Sequence, residues 1–314
     1  MTYQPKRTPE SLFLPIRGLQ YHLHTWGDAS LARPGRPPLV LLHGWMDVAA
    51  SYQFMVDALS PDFFQSRFII APDWRGFGHS TGPACDHYSF ADYLGDLEYL
   101  LDHYAGERPV DLVGHSMGGN IAMMYAGVRP GRIRRLVNLE GFGMPATRPE
   151  QAPVRYAKWL DEIKALQHGE SALKTYPDLA AVAARLMKTN RRLAVDKADW
   201  LARQWSEERV QADGGTRREI LGDAAHRIVS AQLFRVEEMR ALYARIAAPT
   251  LMVEAGDDSL SQWWQGRFTL AEFHQRLAAV ANLRREVIPD AGHMLHHDQP
   301  RALAALLESF LGAG

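Results

Sequence analysis

A short glycine-rich passage carries residue types that could do chemistry. Residues 114–118 read Gly-His-Ser-Met-Gly, which fits the pattern G-x-S-x-G. The apolar residues 109–113 before it are typical of a short buried strand, and residues 119–126 after it have a helical pattern. A serine on a tight turn between strand and helix is presented for attack, and small neighbours let the two elements approach closely. This context predicts that Ser116 is a nucleophile.

A histidine near the C-terminus can serve such a nucleophile. Residues 287–294 read Val-Ile-Pro-Asp-Ala-Gly-His-Met, so His293 follows an apolar strand and precedes the last helix. In a strand–turn–helix site of this kind the histidine lies downstream of the serine. An imidazole can take the hydroxyl proton of Ser116 as attack begins. We therefore predict that His293 is the general base.

A third passage can stabilise negative charge that forms during attack. Residues 38–45 form an apolar run that enters the sequence His-Gly-Trp. A loop at this place supplies one backbone N–H to an oxyanion hole, and the residue after the nucleophile supplies the other. The expected donors are the backbone N–H groups of Trp45 and Met117. We expect His43 to brace the loop.

These passages, in this order, resemble those of the α/β-hydrolase fold superfamily over nearly the whole chain. The matching pieces are residues 43–45, 73–80, 114–118 and 292–293. Within the superfamily the chain is most similar to the serine hydrolase-like proteins, through residues 43–52 and 185–190. The resemblance implies an α/β fold, with a mostly parallel twisted sheet, helices on both faces and a helical cap insertion.

The chain offers two carboxylates as the acid that would orient His293. The usual position in this superfamily follows the seventh strand, where Asp258 is the better candidate. The other position follows the sixth strand, where Glu140 stands, as the catalytic Glu of some haloalkane dehalogenases does. A carboxylate at the end of a buried strand is costly unless a partner such as His293 Nδ1 satisfies it. We favour Glu140 and keep Asp258 as the alternative acid.

The serine at position 116 separates branches of the superfamily. Haloalkane dehalogenases and epoxide hydrolases carry Asp at this position, whereas an activated serine suits attack on a carbonyl carbon. The resemblance therefore implies a carboxylesterase-like serine hydrolase that cleaves an ester or related acyl bond of a small molecule, without a cofactor. Two alternatives stay open. One is a carbon–carbon bond hydrolase with the same triad, and the other is a non-catalytic small-molecule-binding homologue.

Other polar clusters favour structural roles. Asp73 and Arg75 lie beside a glycine-rich turn that lacks the phosphate-loop pattern with its lysine, so we expect them to pair and hold a loop. His296 and His297 follow His293 closely, but no cysteine accompanies them. We therefore expect no metal at these three histidines.

Composition limits the partners and the compartment. The formal net charge of −1 gives no reason to expect nucleic acid or an anionic membrane surface as a partner. The single cysteine, Cys85, excludes an internal disulfide framework and fits a reducing compartment. Residues 1–7 lack the apolar run of a signal peptide, and no segment reaches bilayer-spanning length. We expect a cytoplasmic protein with a small-molecule substrate, and its oligomeric state stays open.

The pattern of short apolar runs and helices predicts a mostly parallel sheet. The predicted strands are residues 39–42, 68–71, 110–113, 136–139, 250–254 and 285–288, with an antiparallel pair within 12–27. The clearest helix is residues 88–104, where Ser89 and Asp92 resemble a capping box. Between about residues 145 and 248 we find helical patterns and no convincing strand. We predict an α/β core at 1–145, a helical cap at 146–248 and the second part of the core at 249–314.

Overall fold

An eight-stranded sheet forms the centre of the molecule. The computed structural model describes residues 2–211 and 214–312. The strands within these ranges are β1 (Glu10–Ile16), β2 (Leu19–Trp26), β3 (Leu39–Leu42), β4 (Ile69–Pro72), β5 (Val110–His115), β6 (Ile133–Leu139), β7 (Ser206–Val210), β8 (Thr216–Ile220), β9 (Thr250–Ala255) and β10 (Leu283–Ile288). The sheet order is β1-β2-β4-β3-β5-β6-β9-β10, and β7 and β8 form a separate hairpin. In the large sheet β2 is antiparallel to both its neighbours and every other pair is parallel, which confirms the predicted α/β architecture.

Helices cover both faces of this sheet. The α-helices of the described residues are α1 (Gln53–Ala58), α2 (Pro61–Gln65), α3 (Phe90–Ala105), α4 (Met117–Val128), α5 (Ala152–Gln167), α6 (Leu179–Thr189), α7 (Val195–Trp205), α8 (Val236–Tyr243), α9 (Ser259–Trp264), α10 (Leu270–Leu277), α11 (Leu295–Asp298) and α12 (Pro300–Gly312). None of them is both long and apolar enough to cross a membrane. In β3, Val40 and Leu42 join the core cluster that includes α3, α4, α8 and α10. Leu39 and Leu41 join the cluster of α1 and α12, as expected when successive side chains point to opposite faces.

The parallel strands bring their carboxyl ends to one edge, and backbone strain is concentrated there. Six non-glycine residues among those described have positive φ, and four of them lie within four residues of the ends of β3, β5, β6 and β10. These four are Met46, Ser116, Glu140 and Asp290, with φ between 52° and 57°. Such conformations cost about 1–3 kcal/mol each and are kept where the surrounding structure imposes them.

The capping box predicted for the first long helix is wrong. Ser89 occupies the N-cap position of α3, but its side chain makes no capping hydrogen bond. The carboxylate of Asp92 instead accepts a hydrogen bond from Arg17 Nη2 at 2.9 Å. Arg17 lies in the turn between β1 and β2. Asp92 therefore binds a residue that is distant in sequence and does not cap α3 as the local pattern predicts.

The segment between β6 and β9 contains α5 to α8 and the β7–β8 hairpin. The expectation of no strand here is wrong, because Ser206–Val210 and Thr216–Ile220 pair as antiparallel strands. Helices α6 and α7 pack their apolar faces into a small core of their own, which Phe54 of α1 also joins. Helix α8, by contrast, packs on α4, where a Cβ on Gly127 would lie 2.3 Å from the Leu242 carbonyl oxygen. The predicted cap bounds of 146–248 stay a prediction.

One histidine of this segment fixes it to the core. The His226 ring stacks between the rings of Phe77 and Tyr88, with centroids 3.7 Å from each. The Tyr88 hydroxyl donates to Asp223 at 2.8 Å, and Trp45 Nε1 donates to the His226 carbonyl at 3.3 Å. The inserted segment is therefore held beside the loop that follows β3.

Candidate functional site

Ser116 lies on the sharp turn between β5 and α4. Its backbone has φ 52° and ψ −113°, and it is the N-cap residue of α4. A Cβ on Gly114 would lie 2.2 Å from the Gly118 carbonyl oxygen, and a Cβ on Gly118 would lie 2.2 Å from the Leu42 carbonyl oxygen. Both glycines are therefore required for the turn to form against β3. The structure places Ser116 in the strand–turn–helix context that the pattern predicts.

His293 and Glu140 meet at the same sheet edge. His293 lies between β10 and α11, and its Nδ1 is 3.3 Å from Oε2 of Glu140, which directly follows β6. The other oxygen of Glu140 accepts a hydrogen bond from the backbone N–H of Ala255 at 2.7 Å. Glu140 is 2% exposed. A fixed carboxylate next to Nδ1 leaves Nε2 as the ring nitrogen that can face a substrate or Ser116.

Burial favours the uncharged forms of both Glu140 and His293. Desolvation raises the pKa of Glu140 to about 8, and it outweighs the hydrogen bonds from Ala255 and Ser259, which lower that pKa. Burial also lowers the pKa of His293 below its usual value. Each shift disfavours a charge in a poorly solvated place. The predicted role of Glu140 as the acid needs its ionised form, which becomes populated as pH rises through about 8.

Asp258 occupies a different environment. It is exposed and caps α9, where its carboxylate accepts from the Ser261 N–H at 2.9 Å and from the Ser261 hydroxyl at 2.5 Å. Its neighbour Asp257 pairs with Arg192 at 2.6 Å. Of the two candidate acids, the structure brings Glu140 and not Asp258 to the His293 ring.

The loop after β3 packs against the nucleophile. A Cβ on Gly44 would lie 3.2 Å from the Ser116 Cβ, so this backbone passes close to the serine. Trp45 follows in the same loop. Met117 is the first residue of α4, and the N–H groups of a first helical turn have no partner within the helix. The partial positive charge of that helix end favours a negative group beside Ser116.

His43 holds this loop from behind. Its Nε2 accepts a hydrogen bond from the Trp74 N–H at 2.9 Å, and Nδ1 donates to the Gly44 carbonyl at 2.7 Å. Burial lowers the pKa of His43, which keeps this ring neutral. The geometry is that of a bracing residue.

Asp73 and Arg75 both hold the neighbouring turn, but the predicted pair between them is wrong. Asp73 bonds to His22 Nδ1 at 2.7 Å and accepts from the Ala49 N–H at 2.7 Å. Arg75 pairs with Asp96 through two hydrogen bonds of 2.5 and 2.6 Å. The buried Asp96 carboxylate, contributed by α3, was not identifiable as the partner from the local sequence.

Two residues next to His293 had no signal in the sequence. The Trp263 ring meets the His293 ring edge-on, with centroids 4.1 Å apart. His115 Nε2 donates to the His293 carbonyl at 2.7 Å. Both contacts join segments distant along the chain, so no local pattern could have indicated them.

A cavity lies away from this sheet edge. A space of about 810 Å³ opens between the turn after β4 and the β7–β8 hairpin, with Arg75, Tyr88 and Leu221 in its lining. Ser116, His293 and Glu140 are not among the lining residues. We place the candidate site by its hydrogen bonds and backbone geometry, since the chemistry resides in those groups.

Comparison with known proteins agrees with this geometry. The family model of the alpha/beta hydrolase fold matches residues 37–300. The chain belongs to the α/β-hydrolase fold family. The match includes the loop after β3, the turn at Ser116, Glu140 and His293. This family assignment confirms the resemblance drawn from the motifs.

Two relatives of this α/β hydrolase are named as a hydrolase-like protein and a hydrolase. A serine hydrolase-like protein of Danio rerio is 30% identical over 143 residues, which are 45% of this chain and 41% of that protein. The 2-hydroxy-6-oxo-2,4-heptadienoate hydrolase of Pseudomonas putida is 32% identical over 127 residues, 40% of this chain and 43% of that protein. Each match thus spans less than half of the relative. Among solved structures, the thioesterase domain from the curacin biosynthetic pathway has a TM-score of 0.76 and 25% identity over 96% of this chain and 99% of that chain.

Proposed function

We propose that this chain is a serine hydrolase that cleaves an ester or related acyl bond of a small organic molecule. The observation that carries the proposal is Ser116 at φ 52° on its strand–helix turn, at the sheet edge that also holds the His293–Glu140 pair. A serine hydroxyl is a weak nucleophile until a base accepts its proton. The histidine that follows β10 is the base available at this edge.

The reaction follows from these groups in order. Ser116 Oγ attacks the substrate carbonyl carbon as His293 Nε2 takes the hydroxyl proton. The backbone N–H groups of Trp45 and Met117 donate to the oxyanion that forms. His293 returns its proton to the leaving group, which gives an acyl-enzyme. A water molecule, deprotonated by His293, then attacks the acyl carbon and releases the acid and Ser116.

Glu140 is the acid of this proposed triad. When His293 gains a proton, the carboxylate of Glu140 beside Nδ1 stabilises the imidazolium and holds the ring in one orientation. The 3.3 Å contact and the Ala255 N–H that fixes the second carboxylate oxygen support this role. Asp258 serves its helix cap in the same structure, which supports Glu140 over the alternative.

Carbon–carbon bond hydrolysis is the second candidate reaction. The relative from Pseudomonas putida is named for hydrolysis of a 2-hydroxy-6-oxo-dienoate, and a Ser-His-acid site can serve that chemistry. Turnover of a vinylogous diketone, followed by its loss of absorbance, would be compared with ester turnover by the same preparation. We expect the ester to have the higher kcat/KM, and the reverse order would favour the second reaction.

We also propose a cytoplasmic location and a small-molecule substrate, without a nucleic-acid or membrane partner. The formal net charge of −1 and the single cysteine support this proposal. Fractionation of cells that express the chain, followed by detection in each fraction, tests the location.

A fluorophosphonate probe tests the nucleophile directly. The probe should label the wild-type protein once, and Ser116→Ala should abolish labelling and lower turnover of p-nitrophenyl esters by orders of magnitude. Ser230→Ala, at an exposed position in the inserted segment, is the matched control and should label normally. Labelling that persists in Ser116→Ala would refute the assignment, and a wild-type protein that never labels would favour a non-catalytic binding protein.

A further inference from the structure

Three buried side chains outside the proposed triad meet in one cluster. They are Asp47, His115 and His296, and each is at most 4% exposed. One ligand atom of each lies within 4.8 Å of those of the other two. Asp47 Oδ2, His115 Nδ1 and His296 Nδ1 are also buried atoms without a hydrogen-bond partner among the described residues. Buried polar atoms rarely lack a hydrogen-bond partner, so we expect this cluster to bind a water molecule or an ion.

The proton on His115 is fixed by its other nitrogen. Nε2 lies 2.7 Å from the carbonyl oxygen of His293. A carbonyl can only accept, so Nε2 carries the proton. Nδ1 therefore presents a lone pair to the cluster.

The Ser51 hydroxyl, which contacts two histidines, determines which nitrogen of His296 carries the proton. Ser51 Oγ lies 2.6 Å from His297 Nε2 and 3.1 Å from His296 Nε2. Ser51 has one proton to give, and the carboxylate of Asp47 and the nearer imidazole, His297 Nε2, are the acceptors that take it in preference to His296. His296 Nε2 then donates to Ser51, and its Nδ1 keeps a lone pair.

Asp47 adds an anionic oxygen. Its Oδ1 accepts a hydrogen bond from Trp205 Nε1 at 3.0 Å, which leaves Oδ2 for the cluster. Hydrogen bonds from Ser51 and from the Val48 N–H also reach this carboxylate, and a buried carboxylate is further stabilised by a cation beside it. A water molecule can donate only two hydrogen bonds to these three electron-pair donors, whereas one divalent cation can be coordinated by all three.

We propose that Asp47, His115 and His296 bind a divalent transition-metal ion, with zinc as the expected ion. Two imidazole nitrogens and a carboxylate oxygen are common zinc ligands. The hydrogen bonds from Trp205 to Asp47, from His296 to Ser51 and from His115 to the His293 carbonyl orient the three ligands, as outer partners do in metal sites. The ligands come from three distant segments, so the adjacent histidines 293, 296 and 297 did not reveal this set.

The ion would connect the three segments that carry the proposed reacting groups. Asp47 lies two residues after Trp45, His115 lies one residue before Ser116, and His296 lies three residues after His293. A metal behind this edge would hold the oxyanion loop, the nucleophile turn and the base loop together. The proposal goes beyond hydrolysis and does not depend on turnover, because metal binding is read by absorption and by thermal stability.

The full chain, stripped with a chelator and dialysed, is titrated with Zn²⁺ by calorimetry and with Co²⁺ by visible spectroscopy. We expect one equivalent of each ion to bind, with Co²⁺ giving the d–d absorption of a low-coordinate nitrogen and oxygen site. Zinc at a hundred times its Kd should raise Tm by about 5 °C. A stripped protein that binds neither ion at one equivalent would overturn the proposal and leave buried water as the occupant.

Variants identify the ligands. His296→Gln should lose the Co²⁺ absorption and the zinc-dependent rise in Tm, whereas His24→Gln should keep both. His24 is a matched control because its Nδ1 is likewise buried without a partner, outside the cluster. Asp47→Asn is a second variant that should fold, because its side-chain amide can donate hydrogen bonds to His115 Nδ1 and His296 Nδ1. It should match or exceed the Tm of stripped wild type and show no zinc effect. A zinc-dependent rise that survives in both Asp47→Asn and His296→Gln would refute the site.

Discussion

At the scale of single residues, Glu140 and Asp258 differ in what their carboxylates contact. Glu140 is buried beside His293, whereas Asp258 is exposed and caps a helix. Glu140→Gln should lower kcat on a p-nitrophenyl ester by about 10⁴-fold, because the imidazolium loses its anionic partner. Asp258→Asn removes a carboxylate of similar size and is the matched control, with an expected loss of a few-fold.

Both variants would be assayed on one ester, with circular dichroism to verify folding. A crippled Asp258→Asn beside a nearly normal Glu140→Gln would show that the acid follows β9 and not β6. Equal losses in two folded variants would contradict a single acid.

Motifs made Ser116, His293 and Glu140 predictable as candidates, because each stands at the end of a strand within a recognisable sequence. The roles of His115 and Trp263 were not predictable in this way. Each contacts His293 through folding of distant segments. The prediction of an Asp73–Arg75 pair was wrong for the same reason, because the Arg75 guanidinium binds Asp96 of α3. Contacts between distant side chains leave no local signature in one sequence.

At the scale of elements, the close approach of α4 to β3 depends on Gly118. A Cβ at this position would lie 2.2 Å from the Leu42 carbonyl oxygen. Gly118→Ala should therefore push the helix away, destabilise the fold by about 1–3 kcal/mol and lower kcat/KM by displacing Ser116. Gly131→Ala is the control, because a Cβ there meets nothing within 4 Å.

Thermal unfolding and ester turnover would be measured for both glycine variants. Gly131→Ala should be neutral or slightly more stable, since alanine restricts the unfolded chain. If Gly118→Ala kept wild-type Tm and turnover, the close packing of the nucleophile turn would not be needed for either property.

Strands could be predicted from the sequence where they are completely buried. Strand β3 reads as an unbroken apolar run, and β5 and β9 are fully buried with apolar centres, because helices cover both sheet faces. The β7–β8 hairpin has no such pattern. Its second strand, Thr216–Ile220, reads Thr-Arg-Arg-Glu-Ile and is largely exposed or half-buried, so neither apolar alternation nor a continuous run marked it.

At the scale of the whole molecule, Glu140 couples folding to pH. Burial raises its pKa from 4.5 to about 8 in the folded state. Between these values the folded protein holds a proton that the unfolded chain has released. The stabilisation from this proton is therefore present at low pH and is lost as pH rises through about 8.

Stability should fall relative to Glu140→Gln by at most about 1.4 kcal/mol per pH unit. The free energy of unfolding in urea would be measured for both proteins from pH 6.5 to pH 8. The buried histidines are present in both proteins, so their contribution to the slope cancels in the difference. Parallel curves for the two proteins would mean that Glu140 is ionised throughout.

Backbone strain at the carboxyl edge sets how this protein would change under selection. A population selected only for heat tolerance would accumulate glycine at Met46, Ser116, Glu140 and Asp290, where glycine adopts positive φ at no steric cost. Two of those changes would erase the proposed nucleophile and its acid. Lineages that must keep turnover would retain the costlier backbone and acquire their heat tolerance at positions remote from this edge.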